Sequence, residues 1–437
     1  MINLRRLQMV EQVFWNKRME TLPIKAQEKM QLKLLRSTIE RAYRSSKFYR
    51  ARMKATQINA RGIRRLKDIE RMPFTTRQDL ENNFRDVLCV PFSRVATVRV
   101  TSGTTGKPLT IAHTQRDVDN IGEASARKLS YHGVTPKDVL QVTSTYGLWQ
   151  GAWSVHWGAE RIGACVIPVG PGDTERQIRI IKRFGTTVLY GATNYHFRIA
   201  EVAKKLGENL AGYSLRTGIC VAEKPSSGQI SRLKEEFGYN LVAIDYGATE
   251  FPGFSVNCST DPASHHVWGD FYLVEVVDPK SHEVLGEGER GELAITSLQR
   301  EAYPLIRYLS KDITVLKGCE KCECGLTHAK IAADIDREDF MMKFRGTAVF
   351  PSQIESILDQ LHVPAGRVQM IVDKRTPREE GTLKVETPEV LSNARQESIK
   401  TTLRDDIKNR IGVTIDNIVF VPFGTLGDKV EKAVVIK

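Results

Sequence analysis

The chain has 437 residues, a formal net charge of +12 and 41% hydrophobic residues, too long for a single core and long enough for a large domain with a smaller companion. No apolar run approaches membrane-spanning length and the start, Met1-Ile2-Asn3-Leu4-Arg5-Arg6, has no signal-peptide core, so a cytoplasmic protein with no membrane partner is expected. The basic residues are interspersed with Glu and Asp and come without a zinc-finger, helix-turn-helix or RNA-recognition signature, which argues against nucleic acid and suits small polyanionic substrates.

Residues 27–54 carry helical apolar spacing at Leu32, Leu34, Leu35, Ile39 and Ala42 with no breaker inside, so helices open the chain. Next comes Thr101-Ser102-Gly103-Thr104-Thr105-Gly106-Lys107-Pro108. Its hydroxyls, the close approach allowed by Gly103 and Gly106, and the charge of Lys107 read as a clamp for the phosphates of a nucleotide triphosphate. Two residues stand between its glycines where a Walker A loop has four, and Pro108 follows the lysine, so a P-loop fold is disfavoured. An ordinary surface turn is the weaker alternative.

From 138 to 247, short apolar runs at 139–142, 165–169, 187–190, 218–221 and 241–244 alternate with helical patterns at 175–184, 195–206 and 227–237, which predicts a layered α/β core. Residues 271–316 read as a small antiparallel subdomain. The charged stretch 334–339 reads as a hinge to a compact α+β unit with helices at 352–361 and 394–411 and strands at 368–372 and 417–421. Seven cysteines are too sparse for a disulfide scaffold, and the crowding of Cys319, Cys322 and Cys324 favours metal.

The clamp matches the phosphate-binding signature of adenylate-forming enzymes, and nearly the whole chain resembles their phenylacetate–CoA ligase branch. The resemblance rests on Phe48-Tyr49-Arg50, Tyr146-Gly147-Leu148, Gly158-Ala159-Glu160-Arg161, Thr174-Glu175-Arg176-Gln177, Tyr246-Gly247-Ala248-Thr249-Glu250, Pro304-Leu305-Ile306-Arg307-Tyr308 and Phe350-Pro351-Ser352-Gln353-Ile354-Glu355 as well as the clamp. It implies a large α/β adenylation domain with a β subdomain (1–335) and a small mobile α+β domain (336–437). It also implies an activity: a carboxylic acid and ATP give an acyl-adenylate and pyrophosphate, and a thiol, usually that of coenzyme A, displaces AMP. Transfer to an amine, arrest at the adenylate, or binding without turnover are the alternatives, and a homodimer is one assembly the sequence admits.

The same resemblance assigns residues. Lys107 with Ser102, Gly103, Thr104, Thr105 and Gly106 would hold the β- and γ-phosphates, and Glu250, beside Tyr246, Gly247 and Thr249, would hold Mg²⁺. Without the motif, Glu250 would read as a helix N-terminal glutamate. Asp312 would accept the ribose hydroxyls, its alternative being a strand-end turn. Arg337 stands beside the hinge residue Asp339, with Asp336 where the family has glycine. Glu223 would lie beside the adenine, with Val221 in place of a glycine, and Lys432 takes the position of the catalytic lysine. Glu431 there replaces a glycine, and a solvated terminal lysine stays open. Tyr146, Gly147, Trp149 and Trp153, with Ala248 opposite, would bind an aryl acid, although Trp153 reads equally as core. Cys258, His266, Cys322 and Cys324 match a metal cluster seen in part of the family and suit structural Zn²⁺. Cys319 and His265 are alternative ligands.

Overall fold

The computed structural model describes residues 14–101, 108–222, 224–318, 321–337, 342–345, 347–349, 351–373, 380–387, 392–426 and 433–436. Ser102, Gly103, Thr104, Thr105, Gly106, Lys107, Glu223, Cys319, Asp339 and Lys432 lie outside the described residues.

The opening helical stretch is two helices, Ile24–Ser45 and Lys47–Ala55. Residues 27–54 contain no glycine or proline, yet Ser46 breaks the run: its backbone is extended (φ −92°, ψ 126°) and its Oγ accepts from the Tyr49 amide at 3.2 Å. A serine offering its own cap ends one helix and starts the next.

Strands β1 (Thr97–Val100) and β2 (Thr110–His113) form an antiparallel ribbon. Five parallel strands follow: β3 (Val139–Val142), β4 (Cys165–Ile167), β5 (Val188–Ala192), β6 (Thr217–Val221) and β7 (Leu241–Ile244), in the order β4-β3-β5-β6-β7. Every residue of β6 is buried, as expected for strands covered on both faces by crossover helices. Helix Gly151–Ile162 packs so tightly on helix Gln115–Tyr131 that a Cβ at Gly158 would stand 2.6 Å from Ser125 Cβ. Chain winding reverses between β3 and β5, which opens a crevice at the carboxyl ends of the strands.

The antiparallel part begins with β8 (Ser255–Asn257) and β9 (Ser264–Val267). β10 (Tyr272–Val277), β11 (Arg290–Ser297) and β12 (Tyr308–Val315) form a meander. β13 (Lys330–Ala332) returns to β9, and β14 (Asp336–Arg337) pairs with β12. Arg290 forms ion pairs with Asp334 and Asp336, so the charged stretch is tied to the meander as far as Arg337.

Beyond it come the ribbon β15 (Met342–Phe344) and β16 (Thr347–Val349), then β17 (Val368–Asp373), β18 (Glu380–Thr387), β19 (Asn417–Pro422) and β20 (Ala433–Ile436). The last four form a sheet ordered β19-β18-β17-β20. With helices Pro351–Gln360 and Asn393–Ile411 they enclose a separate core that includes Ile354, Leu358, Met370, Leu383, Leu403 and Ile407. Among the described residues no helix is long and apolar enough to cross a membrane.

Candidate active site

Loops leaving the carboxyl ends of β3 and β7 bring most of the described site residues to the crevice. Asp245–Glu250 continues β7 as an irregular loop rather than a helix, so the helix N-terminal role for Glu250 is not realised. The loop is anchored from beneath: Asp245 accepts from the buried Lys128 Nζ at 2.6 Å and from the Tyr190 hydroxyl at 3.2 Å. Tyr246, next along, donates its hydroxyl to Asp312 Oδ2 at 2.8 Å, and Arg337 Nη1 reaches Asp312 Oδ1 at 3.2 Å. Asp312 on β12 and Arg337 on β14 are direct partners in the register. Burial pushes the Asp312 carboxyl up to about 6, against the opposing pull of Arg337 and Tyr246. Thr249 and Glu250 are buried, and Glu250 Oε1 accepts from Tyr308 at 3.2 Å. Tyr246, Asp312 and Arg337 thus form one hydrogen-bonded set and Glu250 with Tyr308 another, with Tyr308 and Asp312 both on β12. Gly247 sits within the same loop.

Tyr146, Gly147, Trp149 and Trp153 gather after β3. The Tyr146 and Trp153 rings meet edge to face at 5.0 Å, and the Gly147 carbonyl accepts from Trp153 Nε1 at 3.1 Å and from Arg99 Nη1 at 3.3 Å. Tyr146 and Trp149 pack against the core of the parallel sheet, whereas Ala248 packs against the larger core on the other side. Two participants were not foreseen. The Arg99 guanidinium lies 4.7 Å from the Trp153 ring and 5.4 Å from the Trp157 ring, a cation–π clamp. His156 Nδ1 is 3.0 Å from the Tyr146 hydroxyl, with Glu160 on its other nitrogen at 3.1 Å.

Arg77 was also missed. It donates to Thr101 Oγ1 at 2.8 Å and to Glu81 Oε1 at 2.7 Å, and it pairs with Glu250 Oε1 at 3.4 Å. Thr76 and Asp79 form a capping box that marks a helix start in the sequence, but nothing local signals where the Arg77 charge points.

Cys258, His266, Cys322 and Cys324 are all buried, with ligand atoms within 4.8 Å of one another. Cys258 and Cys322 sulfurs are 3.6 Å apart, and Cys324 Sγ is 3.3 Å from His266 Nε2. Zinc bonds of about 2.3 Å to sulfur and about 2.0 Å to nitrogen put tetrahedral ligands roughly 3.5–3.8 Å apart, so the set fits Zn²⁺. His266 Nδ1 lies 2.9 Å from the His328 carbonyl, the outer contact that fixes a ligand imidazole. His266 therefore takes the ligand position; His265 faces Ser255 Oγ instead, at 3.4 Å from its Nδ1.

A doubly covered parallel sheet with a polar crevice at its carboxyl ends, followed by a second unit with its own core, is the architecture of a nucleotide-using α/β enzyme. Residues 47–299 match the AMP-binding enzyme family, and residues 346–437 match the C-terminal domain of AMP-binding enzymes. Phenylacetate-coenzyme A ligase of Escherichia coli is 32% identical, with 95% of each chain covered. The enzyme of the same name from Thermus thermophilus is 34% identical over 91% of this chain and 93% of its own. The crystal structure of 2-hydroxyisobutyryl-CoA ligase in its postadenylation state superposes with a TM-score of 0.84 at 25% identity, covering 99% of this chain and 94% of that one. In its thioesterification state the TM-score is 0.70 at 26% identity, covering 96% and 91%. The chain belongs to the phenylacetate–CoA ligase family of adenylate-forming enzymes.

Proposed function

We propose that the acid taken by this AMP-forming acid–CoA ligase is aromatic, and that the residues at the carboxyl edge of the parallel sheet divide its chemistry among them. The enzyme activates a carboxylic acid with ATP to an acyl-adenylate and transfers the acyl group to coenzyme A. A carboxylate oxygen attacks the α-phosphorus, the α–β bridging bond breaks, and pyrophosphate leaves with the electron pair. The coenzyme A thiolate then adds to the acyl carbonyl, and AMP leaves with the former carboxylate oxygen.

The set of Tyr246, Asp312 and Arg337, with Glu250 paired to Tyr308 of the same strand β12 that bears Asp312, carries this reading. Asp312 accepts the ribose hydroxyls, held in place by Tyr246 and Arg337. Glu250 would hold Mg²⁺, whose charge offsets that of the triphosphate. Ser102, Gly103, Thr104, Thr105, Gly106 and Lys107 hold the β- and γ-phosphates, Thr249 and Gly247 border the nucleotide, and Glu223 borders its adenine. Lys432 supplies the point charge at the α-phosphate during adenylation. Tyr146, Gly147, Trp149 and Trp153 form the wall for the aromatic ring, with Ala248 opposite. Cys258, His266, Cys322 and Cys324 hold one structural Zn²⁺. The small C-terminal domain moves relative to the large one between the two steps, turning close to Asp339, beyond the pairing of β14 with β12 that holds Asp336 and Arg337 to the larger unit. A cytoplasmic location, with no nucleic-acid or membrane partner, belongs to the same reading.

The test is pyrophosphate release over a panel of aryl and alkyl acids, followed by detection of the coenzyme A thioester. Aryl acids are expected to give both. Preference for short alkyl acids would overturn the aromatic assignment, and pyrophosphate without thioester would point to another acceptor.

A further inference from the structure

Arg77 is one cation held against two parts of the crevice that lie on different elements. Its backbone is fixed first: buried Thr75 exchanges backbone hydrogen bonds with β12, its amide donating to Arg307 O at 3.0 Å and its carbonyl accepting from Leu309 N at 2.9 Å. The Thr75 hydroxyl adds a bond to Ile306 O at 2.8 Å. Two residues on, the Arg77 guanidinium spreads over Glu81, Thr101 and Glu250 at 2.7, 2.8 and 3.4 Å. Thr101 closes a neck with Leu109: the Thr101 amide donates to Leu109 O at 2.9 Å, and the Leu109 amide donates to Thr101 Oγ1 at 3.0 Å.

The contact to Glu250 is the longest of the three and the one most readily exchanged. Glu81 and Thr101 keep the guanidinium in place when Glu250 turns to another partner. A guanidinium offers five donors in a planar fork suited to phosphate oxygens, and it cannot lose its charge.

We propose that Arg77 is a substrate-binding residue of the adenylation step: it neutralises Glu250 in the ligand-free protein and binds non-bridging oxygens of the pyrophosphate portion of ATP once Glu250 is taken by the cation. This inference rests on the ligase reading and adds to it a cation outside the phosphate clamp. As the α–β bond breaks, the electron pair passes to the leaving pyrophosphate, where a preorganised guanidinium stabilises the growing charge. The thiol step forms no pyrophosphate and makes no use of Arg77.

The experiment compares Arg77→Ala and Arg77→Lys with the wild-type full chain in two half-reactions. One is acid-dependent exchange of labelled pyrophosphate into ATP; the other is thioester formation from chemically prepared acyl-adenylate and coenzyme A. For Arg77→Ala the expected result is exchange slowed about 100-fold, with raised KM for both ATP and pyrophosphate and a thiol step within twofold of wild type. Arg77→Lys should recover part of the exchange, since the charge returns without the fork. Exchange within threefold of wild type in Arg77→Ala would overturn the assignment. So would an equal loss in both half-reactions or a failure of Arg77→Lys to recover any exchange, either of which would make Arg77 a structural residue. A wild-type chain that exchanges pyrophosphate with none of the acids would remove the ligase reading and this inference together.

Discussion

Burial raises the Asp312 carboxyl to about 6, while Arg337 and Tyr246 pull it the other way. Above that pH both oxygens accept hydrogen bonds; below it one takes a proton and an acceptor for the ribose is lost. The kcat/KM for ATP is therefore expected to fall about tenfold per pH unit below that value. Asp312→Asn should be at least roughly tenfold poorer at neutral pH, without the inflection. Stability runs in the opposite direction. The folded-state value lies above the ordinary 3.8, so the contribution of this group is fully present below the ordinary value and is lost as pH rises through the raised one. Asp312→Asn should consequently melt no lower than wild type at pH 8, and an unchanged ATP profile in this variant would contradict the ribose assignment. Tyr246, Glu250, Asp312 and Arg337 were legible in the sequence because each stands at a recognisable place in a motif. Arg77 was not, since its partners Thr101 and Glu250 lie 24 and 173 residues away, and only folding brings them within reach. Arg99 escaped notice for the same reason, its partner Gly147 lying 48 residues away.

The proposed metal ligands lie on and beside short elements, which are also the elements that periodicity could not show. β8 and β9 have 3 and 4 residues, too few for an alternating pattern to emerge, and Ser264-His265-His266-Val267 is buried along its length despite three polar residues. The parallel strands and the crossover helices Thr174–Phe184, Thr193–Lys205 and Ser227–Phe237 were legible to within a residue or two, because continuous apolar runs and amphipathic repeats leave a local signal, whereas the crossover helix Gly151–Ile162 was not read. The Cys₃His set brings these elements together with the loop after β12: Cys258 directly follows β8, His266 lies on β9, and Cys322 and Cys324 come from that loop. β8 follows the loop bearing Glu250, and β12 bears Asp312, so a metal held there would brace both sides of the proposed nucleotide site. Purified protein is expected to hold roughly one zinc per chain. Chelation should lower the melting temperature and increase hydrogen exchange in residues 255–267 and 321–328 before it does so in the parallel sheet. Metal-free protein with unaltered melting and exchange would contradict a structural zinc.

The two units touch along the start of helix Ser227–Phe237. Ser226 Oγ donates to the Ala365 carbonyl at 2.7 Å, Ser227 Oγ donates to Asp359 Oδ1 at 2.9 Å, and the Arg232 guanidinium lies between the rings of Phe197 and Phe423 at 4.9 and 5.4 Å. Among the described residues these contacts are hydrogen bonds and cation–π contacts, which suits an interface between two units with separate cores. The arrangement lies closer to the postadenylation state of 2-hydroxyisobutyryl-CoA ligase than to its thioesterification state, with TM-scores of 0.84 and 0.70. The division into a large and a small unit could be read from separate apolar patterns on either side of the charged stretch, but the pairing of β14 with β12 extends the larger unit's hydrogen bonding through Arg337. The contact surface left no sequence signal, since serines and a lone arginine on a helix are ordinary surface residues. The central claim concerns the whole molecule: one chain joins an acid to the α-phosphate of ATP and then to a thiol. An aryl acid labelled with ¹⁸O in its carboxylate, incubated with ATP, Mg²⁺ and coenzyme A, tests it most directly by mass spectrometry of the nucleotide product. AMP carrying one labelled oxygen, formed in step with the thioester, is the result expected; label in inorganic phosphate with ADP as the product, or unlabelled AMP, would contradict it.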